Sequence, residues 1–253
     1  MKTLLSLAAL VWLIALPGRA FAQTDEIQVY DAEIVDVGKF NLTWHNNFTP
    51  KGITAPAFPG GNVADQSFNG VTEWAYGVAP WFEQGLYLPL YSADKNLGAT
   101  IDGFKIRELF TVPDAANRRF VYGVNFEFSV NQKNWNAKRY SSEVRPIIGW
   151  HLKPWDIIVN PILDTEYDGF KNLDFAPAMR VAYNFNDKTA LSVEEYADYG
   201  PLHSFYAAND QYHMIYGVVN HTFKFLEIEA GAGVGLTSAT DKVTLKLLLI
   251  KDL

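Results

Sequence analysis

Arg119-Phe-Val-Tyr-Gly-Val-Asn-Phe-Glu-Phe-Ser-Val-Asn131 alternates with a period of two. Phe120, Tyr122, Val124, Phe126 and Phe128 fall on one face of an extended chain, and Gly123, Asn125, Glu127 and Ser129 on the other. One face is apolar and aromatic; the other is small or charged. The same division recurs along the chain. Over 139–151, Val144, Pro146, Ile148 and Trp150 oppose Glu143, Arg145, Gly149 and His151. Over 174–184, Phe175, Pro177, Met179, Val181 and Tyr183 oppose Asp174, Ala176, Arg180 and Asn184. Over 225–236, Leu226, Ile228, Ala230, Ala232, Val234 and Leu236 oppose Glu227, Glu229 and three glycines. A soluble barrel turns its apolar face inward, whereas a membrane barrel turns it outward.

Reading strands by this alternation and by turn residues gives segments near 40–49, 71–80, 83–92, 102–112, 119–131, 139–151, 155–165, 174–184, 188–198, 211–222, 225–236 and 241–251. Each is about ten residues, enough to cross a bilayer when tilted. The connections nearly alternate in length, with a medium one at Pro113–Arg118 and a short one at Thr237–Thr240. Pro50–Gly70, Ser92–Ile101, Asn131–Lys138, Glu166–Leu173 and Tyr199–Asp210 read as long; the turns at Trp81, Lys153-Pro154, Asn186-Asp187 and Lys224 read as tight. Outer-membrane barrels sort their loops in this way, short on the periplasmic side and long outside. Trp81, Phe82, Trp150, Trp155, Phe185, Phe223 and Phe225 flank the tight turns, where amphipathic rings suit a headgroup interface. The expected fold class is therefore all-β, a transmembrane antiparallel β-barrel of about twelve strands.

The 253 residues are 49% hydrophobic and 15% aromatic, and only 19% are charged, which excludes a disordered chain. Cysteine is absent, which removes disulfides, thiolate catalysis and cysteine-based metal centres. Lys2 followed by the apolar run Leu4–Leu16, a Pro17-Gly18 break and Ala20-Phe21-Ala22 has the pattern of a cleaved signal peptide over 1–22. Without Lys2 and Arg19 the remainder carries 19 basic against 28 acidic residues, a balance that argues against nucleic acid as a partner. The expected organisation is a signal peptide at 1–22, a periplasmic N-terminal segment at 23–38 and an outer-membrane barrel at 39–253.

Depth along the strands brings one constellation of charges together. Arg107, Arg145 and Arg180 fall near mid-height on strands four, six and eight, and Glu127, Glu143, Asn160, Asp164, Glu194 and Asp198 lie on the same strands or on those between and beside them. Opposite charges on neighbouring strands attract, more strongly in a confined lumen than at an open surface. The set reads either as a salt-bridge lattice that rigidifies a narrow barrel or as a selectivity zone for charged and polar solutes. Glu108 and Glu195 fall on the lipid face, which is costly at the midplane and cheap near an interface.

The five histidines offer no metal-ligand pair at i, i+2 or i, i+4; His213 and His221 would stand roughly 26 Å apart on one strand at 3.3 Å per residue. His203-Ser204 adjoins Asp198 and Asp210, but nothing spaces them for a relay. No phosphate- or dinucleotide-binding loop and no nucleophile elbow occurs. No cofactor and no catalytic residue is expected.

Glu26–Glu33 (EIQVYDAE), Glu73-Trp-Ala-Tyr-Gly-Val, Gly103-Phe-Lys-Ile-Arg107, Val112-Pro-Asp-Ala-Ala116, Glu143-Val-Arg-Pro-Ile-Ile-Gly149, Asn160-Pro-Ile, Asp174-Phe-Ala-Pro-Ala178 and Glu194-Glu-Tyr-Ala-Asp-Tyr-Gly200 together resemble uncharacterised proteobacterial outer-membrane proteins. These are similar to the "meta-pathway of phenol degradation" putative transporter family. The resemblance covers most of the chain after residue 22. It implies a barrel in the bacterial outer membrane, with lipid bilayer and lipopolysaccharide around it, the outer-membrane assembly machinery as a partner and a small-molecule solute as cargo. The leading functional expectation is a passive channel for small solutes, aromatic or otherwise hydrophobic ones included. A closed, salt-bridged structural barrel is the alternative, and an outer-membrane lipid hydrolase a more distant one. The C-terminal Leu249-Ile-Lys-Asp-Leu253 lacks the terminal aromatic usual in such barrels, so the last strand is expected to be atypical. Loop Pro50–Gly70, through its Ala55–Gly61 core, is expected to fold over the barrel mouth.

Overall fold

A computed structural model describes residues 25–253; the expected signal peptide lies outside the described residues. Twelve antiparallel strands close into a barrel. They are β1 (Phe40–Lys51), β2 (Ser67–Ala79), β3 (Phe82–Asp94), β4 (Gly98–Thr111), β5 (Phe120–Asn131), β6 (Tyr140–Leu152), β7 (Trp155–Asn160 and Leu163–Thr165), β8 (Asp174–Phe175 and Ala178–Asn186), β9 (Thr189–Asp198), β10 (Tyr212–Thr222), β11 (Glu227–Gly235) and β12 (Val243–Asp252). Each pairs with its sequence neighbour, and β12 returns to β1 in the register Asn41↔Asp252 through Phe48↔Leu245. β12 thus closes the ring through its pairing with β1, and the Leu253 amide donates to the Phe40 carbonyl at 2.9 Å. Pro161 and Pro177, which supply no ladder donor, lie where β7 and β8 are interrupted at neighbouring positions.

The face assignments follow the sequence. Phe120, Tyr122, Phe126 and Phe128 are exposed outward, whereas Val121, Asn125, Glu127 and Ser129 are buried inward. Rings interlock around the tight-turn end: Trp81, Phe82 and Phe110 stack with centroids 4.8–6.1 Å apart, Phe120 meets Trp150 at 5.6 Å, and Tyr183 meets Trp155 at 5.0 Å and Phe185 at 5.1 Å. Glu108 and Glu195 do face outward, each near a rim and each partnered. Gln84 Nε2 donates to Glu108 at 3.0 Å, and His213 Nδ1 lies 3.1 Å from Glu195.

Two connections differ from expectation. Ser92–Ile101 is not a long loop: β3 and β4 extend to a three-residue turn, Lys95–Leu97. Asp94 Oδ1 accepts the amides of Asn96 (2.6 Å) and Leu97 (2.9 Å), and Gly98 supplies the positive φ of +73° that the return requires. In the loop 52–66 the Ala55–Gly61 core stays largely at the surface, and it is Asn62-Val63 that turns inward. Asn62 Nδ2 donates to Ser92 Oγ at 2.6 Å, and its amide donates to the Asn134 carbonyl at 2.9 Å. The loop 132–139 also bends in, seating Trp135 on Val71, Tyr87 and Leu90 inside the barrel.

Candidate functional site in the barrel lumen

The N-terminal segment expected in the periplasm runs inside the barrel. Residues 25–38, the strap, enter at the tight-turn end, where the Gly38 amide donates to the Gly77 carbonyl at 2.8 Å. The Val35 amide meets Glu83 Oε2 at 2.6 Å, and the strap then rises to mid-lumen. Asp25, Glu26, Ile27, Val29, Tyr30 and Ala32 are all buried. The apolar members explain why the strap does not stay in water. Val29, Tyr30 and Ala32 join a lumen cluster with Leu109, Val121, Ile147, Ile158, Ile162 and Ala178, while Ile27 packs on Met214, Tyr216 and Val218. Burying such side chains favours the inserted state by roughly 1.5–3 kcal/mol each.

Polar groups of the wall fix the strap's course. Asn160 accepts the Tyr30 amide (2.8 Å) and donates to the Tyr30 carbonyl (2.9 Å). Lys246 Nζ donates to the Ile27 carbonyl at 3.1 Å, and Arg145 Nη1 to the Gln28 carbonyl at 3.1 Å. Asn47 Nδ2 donates to the Asp25 carbonyl at 3.0 Å. Asp25 pairs with Lys105 at 2.9 Å and Glu26 with Arg145 at 3.2 Å. The Tyr30 ring lies under Arg145, 4.6 Å from ring centroid to guanidinium carbon, and its hydroxyl bonds that of Tyr87.

The eight charged residues expected in the lumen all belong to inward-facing positions; Arg180 meets its register partner Glu194, but most of the others pair elsewhere than strand alternation suggests. Arg107 stands opposite Glu127 in the β4–β5 register, yet its Nη2 bonds Glu73 and Glu83, each at 2.6 Å. Glu127 pairs with Lys105 at 3.5 Å instead. Arg145 grips Glu143 on its own strand through Nε (2.6 Å) and Nη2 (3.0 Å). Arg180 donates to Asn220 at 3.1 Å and stands 3.8 Å from Glu194. Glu194 is held chiefly by Lys246, whose ammonium lies 2.5 Å from both Glu194 and Glu229. Asp164 lies in register with Glu143 and Asp174, and Asp198 accepts the Gly200 amide at 2.7 Å near the long-loop rim.

The alternation placed Glu229 on the polar face without naming it among the lumen charges; His45, Glu73, Glu83, Lys105 and Lys246 of the wall, and Asp25, Glu26 and Tyr30 of the strap, were missed. His45 Nε2 lies 3.0 Å from Glu73, completing the Arg107 cluster. The same period-two alternation that placed Glu127 would have turned Glu73, Glu83 and Lys246 inward.

Below the strap a cavity of about 1310 Å³ opens at the tight-turn end, reached past Lys153, Asp187, Lys188 and Lys224. Its interior wall includes Arg180, Asn220, Asp156 and Glu229, and the strap's Asp31 and Glu33. At the opposite end, in the His203-Ser204 loop, the His203 ring bonds the Lys171 carbonyl and the Ser204 amide donates to the Pro201 carbonyl at 2.9 Å.

No family model matches the sequence, and no curated protein matches it either. Solved structures do match the fold. The COG4313 outer membrane channel from Pseudomonas putida F1 superposes with a TM-score of 0.60 over 90% of this chain and 100% of that one, at 13% identity. The NanC porin superposes with a TM-score of 0.54 over 84% of this chain and 98% of that one, at 6% identity. At these identities the likeness is one of architecture: this chain has the closed β-barrel fold of outer-membrane proteins.

Proposed function

We propose that this chain is an outer-membrane channel for small solutes, with its tight turns in the periplasm and its long loops outside. The observation that carries the reading is the lumen itself. It is lined by charged and polar side chains and opens through a cavity of about 1310 Å³ at one end. At mid-height it is narrowed by the strap as well as by wall side chains. A barrel serving only as a scaffold has no need of a polar bore, which costs stability relative to an apolar core. The architecture shared with the Pseudomonas putida channel and with the NanC porin supports this reading, as does the resemblance of the sequence to the phenol meta-pathway transporter family. Arg107, Glu127, Glu143, Arg145, Asp164, Arg180, Glu194 and Asp198 are the residues proposed to set selectivity. Lipopolysaccharide and the assembly machinery are its expected surroundings in the membrane.

A closed structural barrel is the competing reading, favoured by the ion-pair lattice and the strap that together fill the middle of the lumen. Planar-bilayer recording of the purified full chain separates the two. Discrete conductance steps support the channel, and a barrel that folds, shown by heat-modifiable gel migration, yet stays silent under every potential supports the scaffold. Fractionation that recovers the protein in the soluble periplasm would overturn both.

A further inference from the structure

The wall grips the strap largely through groups that any peptide possesses. Of the direct contacts between Asp25 and Tyr30, five go to main-chain atoms: the carbonyls of Asp25, Ile27, Gln28 and Tyr30, and the Tyr30 amide. Asn160 satisfies donor and acceptor of one residue at once, as a neighbouring β-strand would, and does so 130 residues away in sequence. Two cations, Lys105 and Arg145, read the carboxylates at the strap's leading end. Two apolar patches, around Met214 and around Ile147, receive the side chains of Ile27 and Val29. Each of these wall cations also holds a wall carboxylate (Glu127 for Lys105, Glu143 for Arg145, Glu194 and Glu229 for Lys246), so the wall keeps its charges compensated when the strap is out.

Such a wall is a complete recognition surface for an extended peptide chain. We propose that the mid-lumen of this barrel is a binding site for short oligopeptides with acidic residues at the leading end and apolar residues behind. The chain's own residues 25–30 occupy it in cis, as an internal competitor that an incoming peptide displaces. This proposal rests on the channel reading for its purpose but not for its test.

The strap is joined to β1 through Asp36–Lys39, which are exposed at the tight-turn rim, so it can be freed after folding. A protease site is inserted between Gly38 and Lys39 of the full chain, the barrel is folded, and the strap is cut and washed away. A fluorescein-labelled peptide of residues 25–32 is then titrated onto the cut barrel by anisotropy, and conductance is recorded in parallel. Saturable rebinding is expected. A peptide with lysine in place of Asp25 and Glu26 should bind at least tenfold more weakly, as should the parent peptide on an Asn160→Ala barrel. A cut barrel that does not bind the peptide, that binds both peptides alike, or whose strap neither leaves nor exchanges overturns the proposal. The peptide comparison decides the matter even if Asn160→Ala fails to fold. A barrel that conducts after cutting but does not rebind the peptide remains a channel without this site. One that rebinds yet stays silent keeps the site and loses the channel reading.

Discussion

Asn160 of β7 closes a two-bond ring with the backbone of Tyr30, its amide oxygen 2.8 Å from the Tyr30 nitrogen and its amide nitrogen 2.9 Å from the Tyr30 oxygen. Both residues are buried, so neither bond can be exchanged for water without opening the lumen. Asn160→Ala leaves a buried N–H and C=O unsatisfied, at a cost of about 1–3 kcal/mol for each group. The strap should loosen while the barrel persists. Limited proteolysis within 25–38 should therefore accelerate at least tenfold, with heat-modifiable migration unchanged. Equal protection in variant and parent would show that the remaining polar and apolar contacts hold the strap without the Asn160 bonds.

Lys246 is a fully buried cation of the wall and sits between Glu194 and Glu229. Removing a single partner from a buried charge cluster costs about 3–5 kcal/mol, because the remaining charges stay desolvated. Lys246→Met should lower the unfolding midpoint in denaturant, and adding Glu194→Gln and Glu229→Gln should recover most of the loss. A triple variant no better than the single one would mean that Lys246 acts through its bond to the Ile27 carbonyl, not through charge.

Trp135 carries the long-loop end. Its ring is buried on Val71, Tyr87 and Leu90, whereas the Ala55–Gly61 stretch lies largely at the surface. Truncating a buried tryptophan costs about 3–5 kcal/mol where the site cannot collapse, and here it also empties the bore. Trp135→Ala should raise single-channel conductance, while deletion of 55–60 should leave it unchanged. The opposite pattern would return the constriction to the longer loop.

The strands and their faces were legible because a bilayer leaves no choice: each strand must present an apolar row to lipid, and that row fixes the parity of every other residue. Phe120 through Phe128 shows this directly. Arg180 and Glu194 meet across neighbouring strands as the alternation implies, but the other ion-pair partners were not legible, because arginine and lysine are long enough to bypass the residue opposite. Arg107 reaches Glu73 on β2 and Glu83 on β3 in preference to its register partner Glu127. The strap was hidden for a different reason. Glu26–Glu33 mixes carboxylates with Ile27, Val29 and Tyr30, a composition equally at home in water, and only a barrel already built supplies the Asn160 and Lys246 that receive it.

Arg145 joins the lattice to permeation. It binds Glu143 on its own strand and Glu26 and the Gln28 carbonyl on the strap, so it takes part in both wall and constriction. Arg145→Ala leaves Glu127, Glu143 and Asp164 in excess at mid-height and weakens the strap's hold. If these residues line the path, reversal potentials in a salt gradient should move toward cation selectivity, with a larger conductance than the parent. Arg145→Lys keeps the charge but loses the two-pronged grip on Glu143, and should restore selectivity more fully than it restores strap protection. Unchanged reversal potentials in a folded Arg145→Ala barrel would remove Arg145 from the path. A variant that no longer folds would instead assign it to the lattice, since the buried carboxylates it now compensates would be left unpaired.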